Sequence, residues 1–97
     1  MTPSVAPEVE WELTEGAVYY AREGGAELGR AFISEFERVV AFLCTHPRIG
    51  AEWRNGRRRF PLRRFRYSVI YYLPGEELRI IALAHHRRMP DYWAERK

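Results

Sequence analysis

An α+β fold, with an N-terminal antiparallel helical hairpin packed on a small three- to four-stranded antiparallel sheet, is predicted by three features. Apolar residues recur at helical spacing through the first half of the chain. A Gly24-Gly25 pair interrupts that pattern once, and after Pro47 the period drops to the two-residue alternation of strands. With 97 residues the chain is expected to form one domain, 1–97, whose core buries roughly 60–65% of the unfolded surface.

The first helix is expected from Pro7 to Glu23. Val9, Leu13, Ala17 and Ala21 recur every four residues with Tyr20 beside them, an apolar stripe flanked by glutamates. Pro7 suits a first helical turn, and Glu8, Glu10 and Glu12 lie near the positive end of the helix dipole. The second helix is expected from Ala26 to Thr45, with Leu28, Phe32, Phe36, Val39 and Leu43 on one face and Ile33 and Val40 widening it. Pro47 disfavours helical geometry at His46 and ends it.

His46 to Gly56 reads as a connecting loop with Trp53 as its large apolar anchor, and Arg57 to Leu62 as an edge strand, since Pro61 cannot donate to a ladder. Tyr67 to Leu73 is an aromatic and β-branched strand, Pro74 to Glu77 a turn, and Leu78 to His85 the returning strand. Simple alternation in that strand places Leu78, Ile80, Ala82 and Ala84 on one face, with Arg79, Ile81, Leu83 and His85 on the other. Residues 1–5 carry only a weak strand pattern, and the helical hairpin is expected to cover one face of the sheet.

Charge is unevenly divided. Residues 1–47 hold three arginines against eight glutamates, whereas residues 48–97 hold thirteen basic residues against five acids. Fifteen of the sixteen basic residues are arginine, whose planar fork grips phosphate or carboxylate at two points. The basic half therefore points to an anionic target or an acidic partner. No segment approaches the ~18 apolar residues of a membrane span, and MTPSVAPE lacks the basic and apolar regions of a secretory signal. A lone Cys44 excludes an intramolecular disulfide. These features lead to the expectation of a cytoplasmic protein without membrane contact.

Several runs now align in order: EL…A..YY (Glu12 to Tyr20), ELG.AF..E (Glu27 to Glu35), L..HP..G (Leu43 to Gly50), R.FPLRRFRYSVIYY, and the closing A.AHHRRMPDYW..R (Ala82 to Arg96). Together they resemble the ParE/RelE toxin superfamily over nearly the whole chain, most closely its ParE, or plasmid-stabilisation, branch. No single run is diagnostic; their joint order and spacing are. The resemblance implies the toxin component of a type II toxin–antitoxin module and a cognate antitoxin whose C-terminal segment wraps the toxin. The arginine-rich half would complement such a segment if it is acidic. Apolar surface left exposed would serve a homo-oligomer or a hetero-oligomer with the antitoxin.

The superfamily implies two chemistries. ParE-like members inhibit DNA gyrase without a catalytic apparatus, while RelE-like members cut messenger RNA on the ribosome. Cleavage needs a proton acceptor, a proton donor and a guanidinium on the phosphate. For a ribonuclease the candidates are His85, His86, Arg66, Arg87 and Tyr92. In the RNA-cutting members a catalytic arginine stands just inside the central strand, and matching YSVIYY to that pattern places Ser68 there, with Arg66 two residues earlier. That shift keeps the face but moves the side chain by about 6–7 Å. The lysines of the RNA-cutting branch are also absent, since the one lysine is Lys97. Candidate target- or partner-binding residues are Arg58, Arg59, Arg63, Arg64, Arg66, Arg87, Arg88, Tyr92, Trp93 and Arg96.

The same residues also have structural roles open to them. One of His85 and His86 packs inward, and Tyr92 and Trp93 dock on the sheet. Adjacent histidines diverge and no Cys, Asp or Glu stands at ligand spacing, so neither a metal nor another cofactor is expected. A third class stays open, a nucleic-acid-binding module that uses the basic half and its interleaved Phe60, Phe65, Tyr67, Tyr71 and Tyr72 without cutting.

Overall fold

A computed structural model describes residues 1–88 and 91–97; Pro90 of the closing motif lies outside the described residues. The chain runs β1 (Thr2–Val5), α1 (Pro7–Gly24), α2 (Ala26–Thr45), β2 (Ala51–Glu52), a 3-10 turn (Arg54–Gly56), β3 (Arg58–Pro61), β4 (Tyr67–Tyr72) and β5 (Glu77–His85). Both helices form within a residue of their expected bounds, because Pro7 opens the first and Gly25, at φ 92°, separates them.

The sheet has five strands in the order β1-β5-β4-β3-β2, against the three to four antiparallel ones expected. The additions are short. β1 pairs with β5 in parallel, Thr2 opposite Glu77, across most of the chain length. β2 adds two residues to β3 inside the segment expected to be loop. A four-residue strand containing Pro3 has too little local pattern to declare itself, and its pairing is set by tertiary context.

Trp53 is not the anchor of the 46–56 connection: it is 37% exposed, and its indole N–H donates to Asp91. The anchor is Tyr71. Its buried phenol donates to the Pro47 carbonyl at 2.7 Å and accepts the Gly50 N–H at 3.0 Å. Burial raises that phenol's pKa, which keeps it the donor this arrangement requires.

Between the Ile70–Ala82 and Tyr71–Ile80 pairs the β4–β5 ladder slips by one residue, which leaves Ile81 as a bulge. The slip overturns the simple alternation expected of β5. Leu78, Ile80 and Leu83 join Val69 and Tyr71 beneath Val9, Phe32, Phe36, Val39 and Leu43. Ile81, Ala82 and Ala84 instead join Ile70 on the opposite face, where Trp93 covers them. The sheet is thus buried on both faces, and this explains the consecutive burial of Ser68, Val69, Ile70 and Tyr71.

On α1 the deepest line starts on the apolar stripe at Val9 and then runs one position off it, through Glu12 and Gly16. Gly16 lets the Phe32 ring lie against the helix, and Gly29 lets α2 approach the Ala17 carbonyl of α1. Glu12 faces β5 where β1 has ended. β1's line closes with the Ala6 N–H on the Ile80 carbonyl at 2.9 Å. Beyond it, Glu12 Oε1 accepts the Leu83 N–H at 2.9 Å, and Arg96 donates to the Ile81 carbonyl at 3.1 Å. Glu12 and Arg96 meet at 3.0 Å, and the Tyr92 hydroxyl donates to Glu12 Oε2 at 2.6 Å. A carboxylate and a guanidinium so take the places of the missing strand and pin the C-terminal segment to α1.

Three outcomes follow from this packing. Glu12→Ala leaves Arg96 and the Leu83 N–H without their partner, and should cost about 3 kcal/mol, seen as a lower urea midpoint; an unchanged midpoint would refute the clasp. Gly29→Ala raises helix propensity by about 1 kcal/mol, yet its Cβ would lie 2.7 Å from the Ala17 carbonyl oxygen. A net loss of thermal stability is therefore expected, and a gain would show that the helices can part freely. Glu35 accepts both Arg38 guanidinium nitrogens, at 2.7 and 2.8 Å, and the Arg63 N–H at 2.7 Å. The Arg38 hydrogen bonds hold its pKa below the ordinary 4.5. A depressed folded pKa gives stability that is present above 4.5 and lost as pH falls through the lower value. Glu35→Gln should therefore weaken folding at pH 7 and flatten the acid limb between about pH 5 and 2; denaturant midpoints across that range decide it.

Candidate functional site

The basic and aromatic residues of the second half lie on two different faces at one end of the sheet. On the helix side, α1 contributes Tyr19 and Tyr20, the β3–β4 connection contributes Arg64 and Arg66, β4 begins with Tyr67, and β5 ends at His85 with Arg87 beyond it. These seven residues line a groove of about 530 Å³. Behind the sheet, Arg59, Ser68, His86, Arg88, Tyr92 and Trp93, with His85 again and the apolar Ile70 and Ala84, border a much smaller cleft of about 70 Å³.

The two histidine rings turn to different partners, although His85 borders both hollows. His85 stacks edge-on to Tyr67 at 5.0 Å, and its Nδ1 accepts the Arg87 N–H at 3.0 Å. A neutral ring bound in that way carries its proton on Nε2. Burial lowers the pKa of His85, and the positive charges of His86, Arg87, Arg66 and Arg88 lower it further. His86 turns the other way, with its Nε2 2.9 Å from the Ser68 hydroxyl.

The arginines divide as well. Arg58 donates to the Arg48 and Gly50 carbonyls, both at 2.9 Å, and lies 3.7 Å from Glu52, so it braces the 48–52 connection. Arg96 belongs to the Glu12 clasp. Arg88 reaches Glu15 at 3.6 Å and lies over the Tyr92 ring, while Arg59 lies over Trp53. Arg63 meets Glu35 through its backbone N–H. Arg64 sits over Phe65 in the left-handed region, at φ 69°. Among the described residues no carboxylate comes within 4 Å of the guanidiniums of Arg64, Arg66 or Arg87.

Tyr92 and Trp93 form part of the packing behind the sheet. Trp93 is buried against Ile70, Ile81, Ala82 and Ala84. Tyr92 hydrogen-bonds to Glu12, and its pKa is raised by burial first and by that carboxylate second. Ser68, at the position matched to the catalytic arginine of the RNA-cutting branch, is buried and paired with His86. His85, His86 and Tyr92 all border the small cleft behind the sheet, but each is engaged elsewhere: His85 stacks on Tyr67, His86 pairs with Ser68, and Tyr92 is held by a carboxylate. The structure brings together Arg64, Arg66, Arg87 and His85, and adds Tyr19, Tyr20 and Tyr67.

Glu12 was also missed as a functional anchor. In the sequence it stands as a helix-dipole glutamate at the start of the EL…A..YY run, one position from the apolar stripe, with nothing to mark its burial. Among the described residues no three potential metal ligands cluster, and no helix there is long and apolar enough to cross a membrane.

No curated protein matches the sequence. Among solved structures, the fold is similar to a chain described as the chromosomal ParDE TA system from P. aeruginosa, with a TM-score of 0.78 and 18% sequence identity. That match covers 88% of this chain and 95% of the other. The family model described as "ParE toxin of type II toxin-antitoxin system, parDE" matches residues 4–90. That span takes in both helices and all of β2 to β5, and the chain belongs to the ParE toxin family of type II toxin–antitoxin systems.

Proposed function

We propose that this toxin acts in the cytoplasm by poisoning DNA gyrase, and that its cognate antitoxin neutralises it by covering the arginine-rich end of the sheet. Family membership supplies the prior for this target. The observation that carries the choice between the two chemistries is the state of Tyr92. Its hydroxyl is committed to Glu12 and its pKa is raised, so it is a poor proton donor to a substrate phosphate. Ser68 in place of an arginine supports the same choice. A poison that works by contact needs an exposed, complementary surface rather than an acid–base pair, and Arg59, Arg63, Arg64, Arg66, Arg87 and Arg88 supply one.

Purified toxin added to gyrase and supercoiled plasmid should cause linear DNA to accumulate after detergent and protease treatment, and the antitoxin should suppress it. Replacing Arg87 and Arg88 together by Ala should reduce that linear product at least about tenfold, as loss of two interface arginines predicts, with the thermal midpoint unchanged. Intact plasmid alongside cleaved transcripts in induced cells would overturn the gyrase reading. The ribosome and messenger RNA would then be the target, and His85, His86, Arg66, Arg87 and Tyr92 the residues to test.

A further inference from the structure

The helix-side groove has a property that contact with a protein target does not require. Every side chain lining it is a tyrosine, an arginine or His85; no carboxylate does so. Arg64, Arg66 and Arg87 bring three guanidiniums to its rim from two separate connections, and no described carboxylate neutralises them within 4 Å. The far side of Tyr19 borders a separate cleft that holds Glu10, Glu15 and Glu23, of which Glu15 is turned to Arg88. With Nδ1 occupied by the Arg87 N–H, neutral His85 offers the groove an N–H. The walls are aromatic: Tyr19 is more than half exposed, and Tyr20 and Tyr67 pack behind it. A surface rich in cationic donors and free of carboxylates, with an exposed ring beside it, has the chemistry of a site for a phosphate joined to a flat base.

We infer that this groove binds a nucleotide, with its phosphate held by Arg64, Arg66 and Arg87 and its base stacked against Tyr19. The inference goes beyond the gyrase proposal and does not depend on it, because binding is read without gyrase present. An acidic peptide would satisfy the guanidiniums but leave Tyr19 without a flat partner, so the aromatic wall favours the nucleotide. The source is either a single DNA strand or a free mononucleotide, and these share the same contacts.

The test is fluorescence anisotropy of the full-length toxin with a labelled eight-residue oligothymidylate, with unlabelled thymidine monophosphate as competitor. Binding should weaken with salt, with a log–log slope of about −2, as expected when roughly three phosphates are neutralised on a single strand. Replacing Arg66 by Ala and Arg64 by Asn, a residue tolerant of its left-handed backbone, should weaken binding at least about tenfold and reduce the slope to about −0.7. Arg48→Ala removes one exposed charge outside the groove and should leave most of the affinity. Tyr19→Leu keeps the bulk but removes the stacking face, and should lose several-fold. His85 ring resonances should shift on saturation, with a higher titration midpoint beside the bound phosphate.

Competition by the monophosphate at comparable concentration would identify a mononucleotide site; failure to compete would identify a strand. Equal losses in the Arg48 and groove variants would overturn the inference, since the binding would then be general attraction to a basic protein. So would unmoved His85 resonances, absence of binding, or an oligoglutamate peptide that displaces the oligonucleotide and shifts His85 as strongly.

Discussion

Glu12 and Arg96 solve a problem created by the length of β1. A parallel edge strand of four residues protects only the first part of the nine-residue β5, leaving the Leu83 N–H and the Ile81 carbonyl facing outward. Buried backbone groups without partners cost more than an ordinary hydrogen bond returns. Extending β1 would satisfy them, but the chain turns into α1 at Pro7. One carboxylate and one guanidinium, from opposite ends of the chain, take up those groups and neutralise each other. A pair broken on either side would leave an uncompensated charge in a nearly closed site, so each partner enforces the other. This contact fixes the orientation of Tyr92, and together with the Asp91 bonds to Trp53 and Arg54 and the buried Trp93 it holds the C-terminal segment over the second face of the sheet.

The bulge at Ile81 belongs to the same arrangement. Without it, β5 would present Ala82 and Ala84 to the helices, and Leu83 to the tail. One extra residue reverses that order, so the large Leu83 meets the helices and the small Ala82 and Ala84 leave room for the Trp93 indole. Local sequence contains no marker for this. Period-two alternation was legible in Leu78 to His85, but a slip in its middle depends on what covers each face. The helices were legible almost to the residue because Pro7, Gly25 and Pro47 act locally. β1 and β2 were not, since four residues with a proline and two exposed residues pair only when the rest of the sheet is present. The loop anchor was misread for a related reason: Trp53 is the larger ring, but Tyr71 has the hydroxyl that the Pro47 and Gly50 backbone groups need.

The candidate site was legible as a composition but not as a geometry. Arg64, Arg66, Arg87 and His85 could be picked out as basic or titratable residues in the second half. Their separation from His86, Tyr92 and Arg96 depends on strand faces, and adjacent residues such as His85 and His86 point oppositely. Tyr19 and Tyr20 could not be placed in the groove from the helical pattern, since both flank the stripe and only the β3–β4 connection decides which one it covers.

This geometry separates what holds the toxin together from what it presents. Arg58 and Arg96 are tied to backbone carbonyls, and Arg96 also to a buried carboxylate, so they stabilise the fold. Arg64, Arg66 and Arg87 meet no such partner among the described residues, and they converge at the end of the sheet farthest from β1's pairing with β5. Uncompensated guanidiniums brought together repel one another, and Arg87 and Arg66 add to burial in lowering the pKa of His85 beside them, an arrangement that adds nothing to folding. Its cost is relieved when an anion enters. A partner that neutralises the groove would therefore bind with a gain that the free toxin lacks, and the same gain would oppose its release. For an antitoxin that holds the toxin through this groove, competition with a nucleotide there would become a direct route from ligand concentration to toxin activity.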